Sequence, residues 1–438
     1  MAQSASRQLH HLRKVCRAFR LSDKAEAAGA WPSWPLQLLH GSQPRAYIAG
    51  AGASDRPPAF VFDIDGVLVR GNRVLDSAKR AFERLYKDGG QTPRYPVCFL
   101  TNGGGVTEEQ KADELSSWLG VHVKENQVVL SHTPFKRLLP SLKGPVLVAG
   151  MGNVVEVAQH YGFKQLLTPL DVARADPSIA PFWKGRAGCA ADSAKEGGQC
   201  PVKDLGYGSE EKSIKTVLVF KDPSDWYVDL QVITDICVGG GVIGKWKPEA
   251  DADQAVKVYF SNPDLLFAGE YPAPRLGQGA FAAALRTLVR EVTGRELNHE
   301  FMGKPNAAPY ELAEQLLCDQ AMELGLMDPQ QYNAEQEETC PGTTEQAGAR
   351  EHDSLGQSLS PFSAIYAVGD NPKADIAGAL NARARGRPYV AMLVRTGVFS
   401  GERANDEEFP ADVVVDDVDA AVQAALHRAR NMRWHSMR

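Results

Sequence analysis

The stretch Ala59-Phe60-Val61-Phe62-Asp63-Ile64-Asp65-Gly66 determines how the rest of this 438-residue chain is interpreted. Its four apolar residues predict a buried strand, and two acids follow directly where that strand ends. Because side chains alternate along a strand, Asp63 and Asp65 project in the same direction from the carboxyl edge of the sheet, where open α/β sheets bind ligands. Two neighbouring carboxylates suit an ionised nucleophile beside an acid/base and predict a hard metal ion between them.

An Asp-x-Asp-Gly sequence also occurs in calcium loops of the EF-hand type. A loop of that type starting at Asp63 would need Gly at its sixth position and Glu at its twelfth. This chain has Leu68 and Val74 there, which excludes calcium binding of that kind. Gly66 instead lets the chain turn sharply after the acids.

Predicted strands and helices alternate through most of the chain. Apolar runs predict strands, and stretches of helical periodicity predict helices, at residues 59–62, 76–87, 97–100, 364–368 and 389–394. Thr107 and Gln110 have the spacing of a capping box that opens another helix. This alternation predicts the α/β class, with a Rossmann-like parallel sheet and helices on its faces.

The middle of the chain has strands and a helix of its own, at residues 145–149, 216–220, 225–237 and 258–260. We therefore expect an α/β cap at residues 145–270, inserted into a core formed by residues 56–144, 271–327 and 361–438. The core then ends in a closing helix.

Two further segments differ from the rest in charge and periodicity. Basic residues outnumber acids in residues 1–55, where apolar and arginine positions alternate at helical spacing, which predicts a mitochondrial transit peptide. A disordered basic tail is the alternative. Residues 328–360 hold seven acids and a single arginine without periodicity, which predicts a disordered acidic insertion.

The composition excludes several classes of protein. Hydrophobic residues make up 43% of the chain, but no apolar run approaches the length of a membrane span, so we expect no integral membrane segment. A net charge of −6 gives no basic field for nucleic acid. The seven cysteines are widely spread without a C-x-x-C pair, which predicts reduced thiols.

Four blocks occur in one order along the chain: Phe62-Asp63-Ile64-Asp65-Gly66, Leu100-Thr101-Asn102-Gly103, Gly303-Lys304-Pro305 and Val368-Gly369-Asp370-Asn371-Pro372-Lys373-Ala374-Asp375. Together they resemble the haloacid dehalogenase (HAD) superfamily, from Ala59 to about residue 425. The position of the insert, between the second and third blocks, is similar to subclass IIA, which contains nitrophenylphosphatase-like, phosphoglycolate and pyridoxal phosphate phosphatases and has a C2-type cap. Residues 100–105, 130–135 and 222–226 are similar to the mitochondrial hydrolases of the cat-eye-syndrome-critical-region type.

The resemblance implies the catalytic roles. Asp63 would attack phosphorus and form an aspartyl-phosphate, while Asp65 protonates the leaving oxygen and then activates water. Lys304 would neutralise the charge that Asp63 shares with the phosphate.

The resemblance also implies the binding residues. The phosphoryl oxygens would be held by Thr101, Asn102 and Gly103. Mg²⁺ would be bound by Asp63, Asp65 and Asp370, with Asp375 supporting the set. Asn262 and Asp264 could touch the substrate, although formation of an Asn-Pro-Asp turn explains them equally well.

The expected function is Mg²⁺-dependent hydrolysis of a small phosphorylated metabolite, in the mitochondrial matrix or alternatively in the cytoplasm. Two other functions stay open: phosphoryl transfer to an acceptor other than water, and a regulatory or binding protein with weak catalysis. Related caps often mediate homodimers, and the resemblance suggests a link with glycerophospholipid metabolism.

The stretch Gly239-Gly240-Gly241-Val242-Ile243-Gly244 matches a dinucleotide-binding pattern. It follows a predicted helix, however, instead of joining a strand to a helix, which argues against a dinucleotide cofactor. We expect it to form a cap loop that faces the leaving group of the substrate.

Overall fold

The computed structural model describes residues 56–436, with gaps at 72, 185–211, 250–254, 268–270, 272, 329–359 and 402. The transit peptide predicted at residues 1–55 and nearly all of the acidic insertion predicted at 328–360 lie outside the described residues.

In the part of the chain so described, the strands are, in chain order, β1 (Pro58–Phe62), β2 (Val69–Arg70), β3 (Arg73–Val74), β4 (Tyr86–Lys87), β5 (Thr92–Pro93), β6 (Val97–Leu100), β7 (Val128–Val129), β8 (Val146–Ala149), β9 (Leu166–Leu167), β10 (Thr216–Val219), β11 (Lys257–Phe260), β12 (Leu266–Phe267), β13 (Arg275–Leu276), β14 (His299–Phe301), β15 (Ala364–Gly369), β16 (Tyr389–Val394) and β17 (Val413–Val415).

The α-helices of the same residues are α1 (Asp76–Leu85), α2 (Glu108–Leu119), α3 (Val154–His160), α4 (Pro169–Ala175), α5 (Trp226–Val238), α6 (Gln278–Thr293), α7 (Ala307–Glu323), α8 (Ala377–Ala384) and α9 (Val418–Ser436). Short 3₁₀ or π-helical segments lie at Asp88–Gly90, Glu125–Gln127, Thr133–Ser141 and Pro372–Ile376. Thr107 caps α2 by accepting from the Gln110 amide, and the Gln110 side chain accepts from the Thr107 amide, so the predicted capping box is confirmed.

The core sheet has six parallel strands in the order β17-β16-β15-β1-β6-β7. In its centre, Phe62 of β1 is paired with Val368 of β15 and with Phe99 of β6. The residues that follow these three strands therefore lie side by side at one edge of the sheet.

Helices cover both faces of the core sheet. Phe60 and Phe62 point to the face covered by α1, α2 and α9, whereas Ala59 and Val61 point to the face covered by α7 and α8. This alternation is the period of two expected for a strand buried on both sides. The core is thus an α/β/α sandwich with a parallel sheet, and the predicted fold class is confirmed.

A second parallel sheet has the order β14-β11-β10-β8-β9 and forms the cap. Helices α4, α5 and α6 pack on one face of this sheet, and α3 packs on the other. The cap therefore continues to Phe301, and the boundary predicted at residue 270 is wrong. In the sequence, the apolar stripe of α6 predicts that this helix covers a sheet, but it does not show whether that sheet belongs to the cap or to the core.

The glycine-rich stretch at residues 239–244 follows α5, and the carbonyl of Gly241 accepts from the Ile214 amide just before β10. It thus lies at the amino edge of the cap sheet, so the expectation that it faces the leaving group is wrong. No helix in the described ranges is long and apolar enough to cross a membrane.

Candidate active site

A cavity of about 420 Å³ lies where the carboxyl ends of the two parallel sheets meet. From the core, Asp63, Thr101 and Asp370 directly follow β1, β6 and β15. From the cap, the residues that line the cavity just beyond β8, β10, β11 and β14 are Met151, Lys221, Asn262 and Lys304. Both sheets therefore direct the loops after their strands at one space, which is the usual ligand site of such sheets.

Every site residue predicted from the sequence lines this cavity: Asp63, Asp65, Thr101, Asn102, Gly103, Asn262, Asp264, Lys304, Asp370 and Asp375. They come from segments up to 312 residues apart, between Asp63 and Asp375 (375 − 63).

The buried Lys304 ammonium lies at the centre of the site. It donates to Asp63 Oδ1 at 2.7 Å, to Asp375 Oδ1 at 2.6 Å and to the Leu100 carbonyl at 2.8 Å. An ammonium has three protons to donate, so all of its hydrogen bonds are made by the protein. Lys304 is fixed in position and bridges two acids.

Three carboxylates form a cluster around this lysine. Oxygens of Asp63, Asp370 and Asp375 all lie within 4.8 Å of one another. Asp375 uses both of its oxygens, since Oδ2 accepts from the Asn371 amide at 3.0 Å while Oδ1 accepts from Lys304. Among the described contacts, Asp63 Oδ2 and Asp370 Oδ1 are left without a donor, so these two acids have oxygens to offer a metal ion.

The charges of the cluster are not balanced. Burial raises the pKa of Asp63 well above its usual range; Lys304 lowers it in part, and Asp375 and Asp370 raise it further. Burial, reinforced by Asp375, raises the pKa of Asp370 to about 7. Although burial disfavours the charged form of Lys304, Asp375 and Asp63 hold its pKa well above the usual value. Three carboxylates share one cation, and a divalent ion with oxygen ligands, such as Mg²⁺, fits the remaining negative charge.

Two glycines let the backbone approach Asp370 closely. Gly66 has φ of +85°, and a Cβ there would meet the Asp370 carboxylate, as would a Cβ at Gly397. The turn predicted at Gly66 therefore also makes room for an acid from a different strand.

The loop after β6 contains the predicted phosphate-binding residues. Thr101 Oγ1 accepts from the Gly103 amide at 2.9 Å, which closes the loop into a tight turn. The Asn102 side chain instead binds the chain that returns from the cap. It donates to Asp264 Oδ2 at 3.0 Å and to the Lys304 carbonyl at 3.1 Å, and it accepts from the Lys304 amide at 2.9 Å. Its amide group is thus fully used within the protein.

The Asn262-Pro263-Asp264 segment also joins the cap to the core. Asn262 Oδ1 accepts from the Asp264 amide at 2.7 Å, which is the bond of an Asx turn, and Asn262 Nδ2 donates to the Asn102 carbonyl at 3.1 Å. Burial raises the pKa of Asp264 to about 6, although its bond from Asn102 lowers it. The turn and the contact with the cavity therefore coexist.

His132 is a buried residue that supports the loop after β6, residues 101–105, and has no role in the sequence prediction. Its Nε2 accepts from the Gly105 amide at 3.0 Å, so the proton of the neutral ring is on Nδ1, which lies 2.8 Å from the Tyr161 hydroxyl. Tyr161 in turn donates to Glu108 Oε1 at 2.7 Å. Burial lowers the pKa of His132 to about 4. The signal in the sequence was its position three residues after a strand of the core sheet.

Comparison with known proteins agrees with this geometry. A family model described as haloacid dehalogenase-like hydrolase matches residues 60–164, and one described as HAD-hydrolase-like matches residues 301–421. A protein named mitochondrial hydrolase from Saccharomyces cerevisiae is 34% identical over 373 residues, which are 84% of this chain and 96% of the yeast protein. The chain belongs to the haloacid dehalogenase-like hydrolases.

Two other proteins are similar to this hydrolase. A cardiolipin synthase (CMP-forming)/mitochondrial hydrolase fusion protein of Schizosaccharomyces pombe is 32% identical over 372 residues, covering 84% of this chain and 53% of the fusion protein. The crystal structure of a hypothetical protein from Pyrococcus horikoshii OT3 is 22% identical, with a TM-score of 0.49, covering 84% of this chain and 99% of that chain.

Proposed function

We propose that this hydrolase is a Mg²⁺-dependent phosphatase that cleaves a small phosphomonoester through an aspartyl-phosphate on Asp63. The observation that carries the proposal is the Asp63 carboxylate, held at 2.7 Å by the buried Lys304 ammonium on the floor of the shared cavity. An oriented carboxylate with an oxygen left free is suited to act as a nucleophile.

In the first step, an oxygen of Asp63 forms a bond to phosphorus as the bond from phosphorus to the leaving oxygen breaks. Asp65 gives its proton to that oxygen. The Asp65 side chain reaches into the cavity, and the surrounding protein raises its pKa by desolvation more than Lys111 and Lys304 lower it, which favours carriage of a proton. In the second step, the same carboxylate takes a proton from the water that releases inorganic phosphate from Asp63.

The metal proposal rests on the free oxygens of Asp63 and Asp370 and on the surplus of negative charge. Mg²⁺ held there would neutralise charge on the phosphoryl group. Asp375 would act on Lys304, because both of its own oxygens are already bonded.

Lys221 and Arg70 line the same cavity, and neither forms an ion pair with another described residue. These two cations offset the acids of the floor for an incoming phosphate. Lys221 packs over the loop after β6, since a Cβ at Gly105 would lie 2.5 Å from its Cδ.

The test is release of inorganic phosphate from sugar, glycerol-type and nucleotide monophosphates in the presence of Mg²⁺. We expect turnover by the wild type and none by Asp63→Asn. Asp229→Asn is the matched control, because Asp229 is a desolvated acid of α5 outside the cavity, and it should behave like the wild type. Wild-type protein that releases no phosphate from any compound, or an Asp63→Asn variant that is equally active, would contradict the proposal. Addition of alcohol acceptors distinguishes a phosphotransferase, which would yield a new phosphoester in place of free phosphate.

We also propose a mitochondrial location, supported by the names of the two yeast relatives. Fractionation of cells that express the tagged full chain should recover it with mitochondria and protected from added protease. Recovery in the cytosolic fraction would contradict this location.

A further inference from the structure

At its mouth, where the lining is exposed, the cavity is largely apolar, in contrast to its acidic floor. Four of the side chains that line it are apolar and 43% to 46% exposed: Met151, Leu266, Phe267 and Val398. Single exposed apolar residues are common on protein surfaces. These four come from three separate segments, after β8, in the β12–β13 hairpin and after β16, and they converge on one opening.

The β12–β13 hairpin continues this surface away from the cavity. Leu265 and Leu276 are also largely exposed, and Leu266 is paired with Leu276 across the two strands. A contiguous exposed apolar patch indicates a contact with another molecule.

The orientation of a bound phosphomonoester follows from the position of Asp63. In a phosphoryl transfer the attacking oxygen, phosphorus and the leaving oxygen are roughly in line. Asp63 attacks from the core side, so the leaving group must extend away from the floor, towards the cap. Three of the four apolar side chains belong to cap segments.

The size of the cavity also exceeds what a phosphoryl group requires. A volume of about 420 Å³ lies within the range of sites that hold drug-sized ligands. The phosphoryl group is held at the floor and by the cations of the wall, which leaves the apolar residues of the mouth to contact the leaving group.

Resting on the proposed phosphatase function, we propose that the substrate is a phosphomonoester whose leaving group ends in an apolar chain, bound by Met151, Leu266, Phe267 and Val398. The charged head enters the cavity, and the apolar end remains at the mouth. Removal of that end from water contributes binding free energy and thereby selects the substrate.

The test uses n-alkyl phosphates from methyl to hexyl phosphate. We expect the wild-type kcat/KM to rise about twofold to fourfold for each added methylene once the chain reaches the mouth. The double variant Leu266→Ser/Phe267→Ser should have a much flatter dependence. Leu288→Ser is the matched control, since Leu288 is an exposed apolar residue of α6 outside the cavity, and it should keep the wild-type slope. Thermal unfolding of each variant establishes that it is folded.

Binding of the corresponding n-alkylphosphonates, measured by calorimetry, separates this proposal from the phosphatase function. Tighter binding with chain length, lost in the double variant, supports an apolar subsite even if no phosphate ester is hydrolysed. Hydrolysis with rates and affinities independent of chain length would overturn the subsite and leave the phosphatase proposal intact. Sedimentation provides a further check: a dimer that the double variant converts to monomer, with the chain-length slope unchanged, would assign the patch to a second copy and overturn the proposal.

Discussion

Lys304 donates to Asp63 across 2.7 Å, although 241 residues separate the two in the chain. The same ammonium holds Asp375 at 2.6 Å, so a single cation is paired with two buried acids. Loss of this ammonium would leave both acids without their charged partner in a desolvated site, which is costly for stability as well as for chemistry.

We therefore expect Lys304→Met to lower kcat/KM by about 100-fold to 1000-fold, because the charge at the attacking oxygen is no longer stabilised. The free energy of unfolding should fall by about 3 to 5 kcal/mol. Steady-state kinetics and urea denaturation measure the two effects. Lys257→Met is the control, since Lys257 forms an exposed ion pair with Glu300 in the cap, and it should change neither quantity much. Activity of Lys304→Met within tenfold of the wild type would refute the role of the lysine.

The metal site predicts a stabilisation that depends on Asp370. Mg²⁺ at 100 times its dissociation constant should raise the free energy of unfolding by about 2.7 kcal/mol in the wild type. Asp370→Asn removes a ligand and should abolish this gain, yet without Mg²⁺ the variant should be no less stable than the wild type, because one of three crowded carboxylates is gone. Thermal unfolding with and without Mg²⁺ measures this stabilisation. An unchanged Mg²⁺ effect in the variant would mean that the ion binds at another site.

His132 should make stability depend on pH. Its pKa is about 4 in the folded protein, against about 6.5 in an unfolded chain, so the unfolded state binds more protons between these values. The stability contributed by the neutral ring is complete above about pH 6.5 and is lost as the pH falls through the folded value. Between pH 7 and pH 5 this loss amounts to about 2 kcal/mol.

Replacement by His132→Gln keeps an acceptor for the Gly105 amide but removes the titration. The variant should therefore lose about 2 kcal/mol less stability than the wild type over the same pH range. Chemical denaturation at each pH measures this difference. Parallel plots of the free energy of unfolding against pH for the two proteins would show that protonation of His132 is not confined to the unfolded state in this range.

Lys221 should act on substrate capture. We expect Lys221→Met to lower kcat/KM about 10-fold to 100-fold, mainly through KM, because a cation of the cavity wall is lost. The difference from the wild type should shrink as ionic strength rises. Lys215→Met is the matched control. Lys215 lies directly before β10, the strand that Lys221 follows, and it donates to the Gly240 carbonyl outside the cavity. An equal effect of both substitutions would mean that overall charge matters more than position.

Sequence patterns located the parts of the site that follow strands of the core sheet. Asp63 and Asp370 directly follow strongly apolar runs. Such a run predicts a strand by itself, so the position of each acid at the end of a strand could be predicted without knowledge of the strand order. The capping box at Thr107 could also be predicted from the sequence, because both of its hydrogen bonds are made within one turn of helix.

The end of the cap and its contribution to the site were harder to predict from the sequence. The strands of the cap are short, and α6 has an apolar stripe that would suit either sheet, so the end of the domain was placed too early. Met151 and Lys221 were missed because nothing in their immediate sequence shows that β8 and β10 point their carboxyl ends at the core. His132 carries no metal-binding spacing, and its hydrogen bond to Gly105 depends on tertiary placement.

The hydrogen bonds between Asn102 and the backbone of Lys304 also have a mechanical consequence. The Asn102 side chain forms hydrogen bonds with both the amide and the carbonyl of Lys304, where the chain leaves β14, the edge strand of the cap sheet, and enters the core. A hinge at this point would let the cap swing while the ammonium kept its place beside Asp63. The pivot of any such motion would then coincide with the catalytic cation, and the exchange of substrate for product would not require the nucleophile to be assembled again at each turnover.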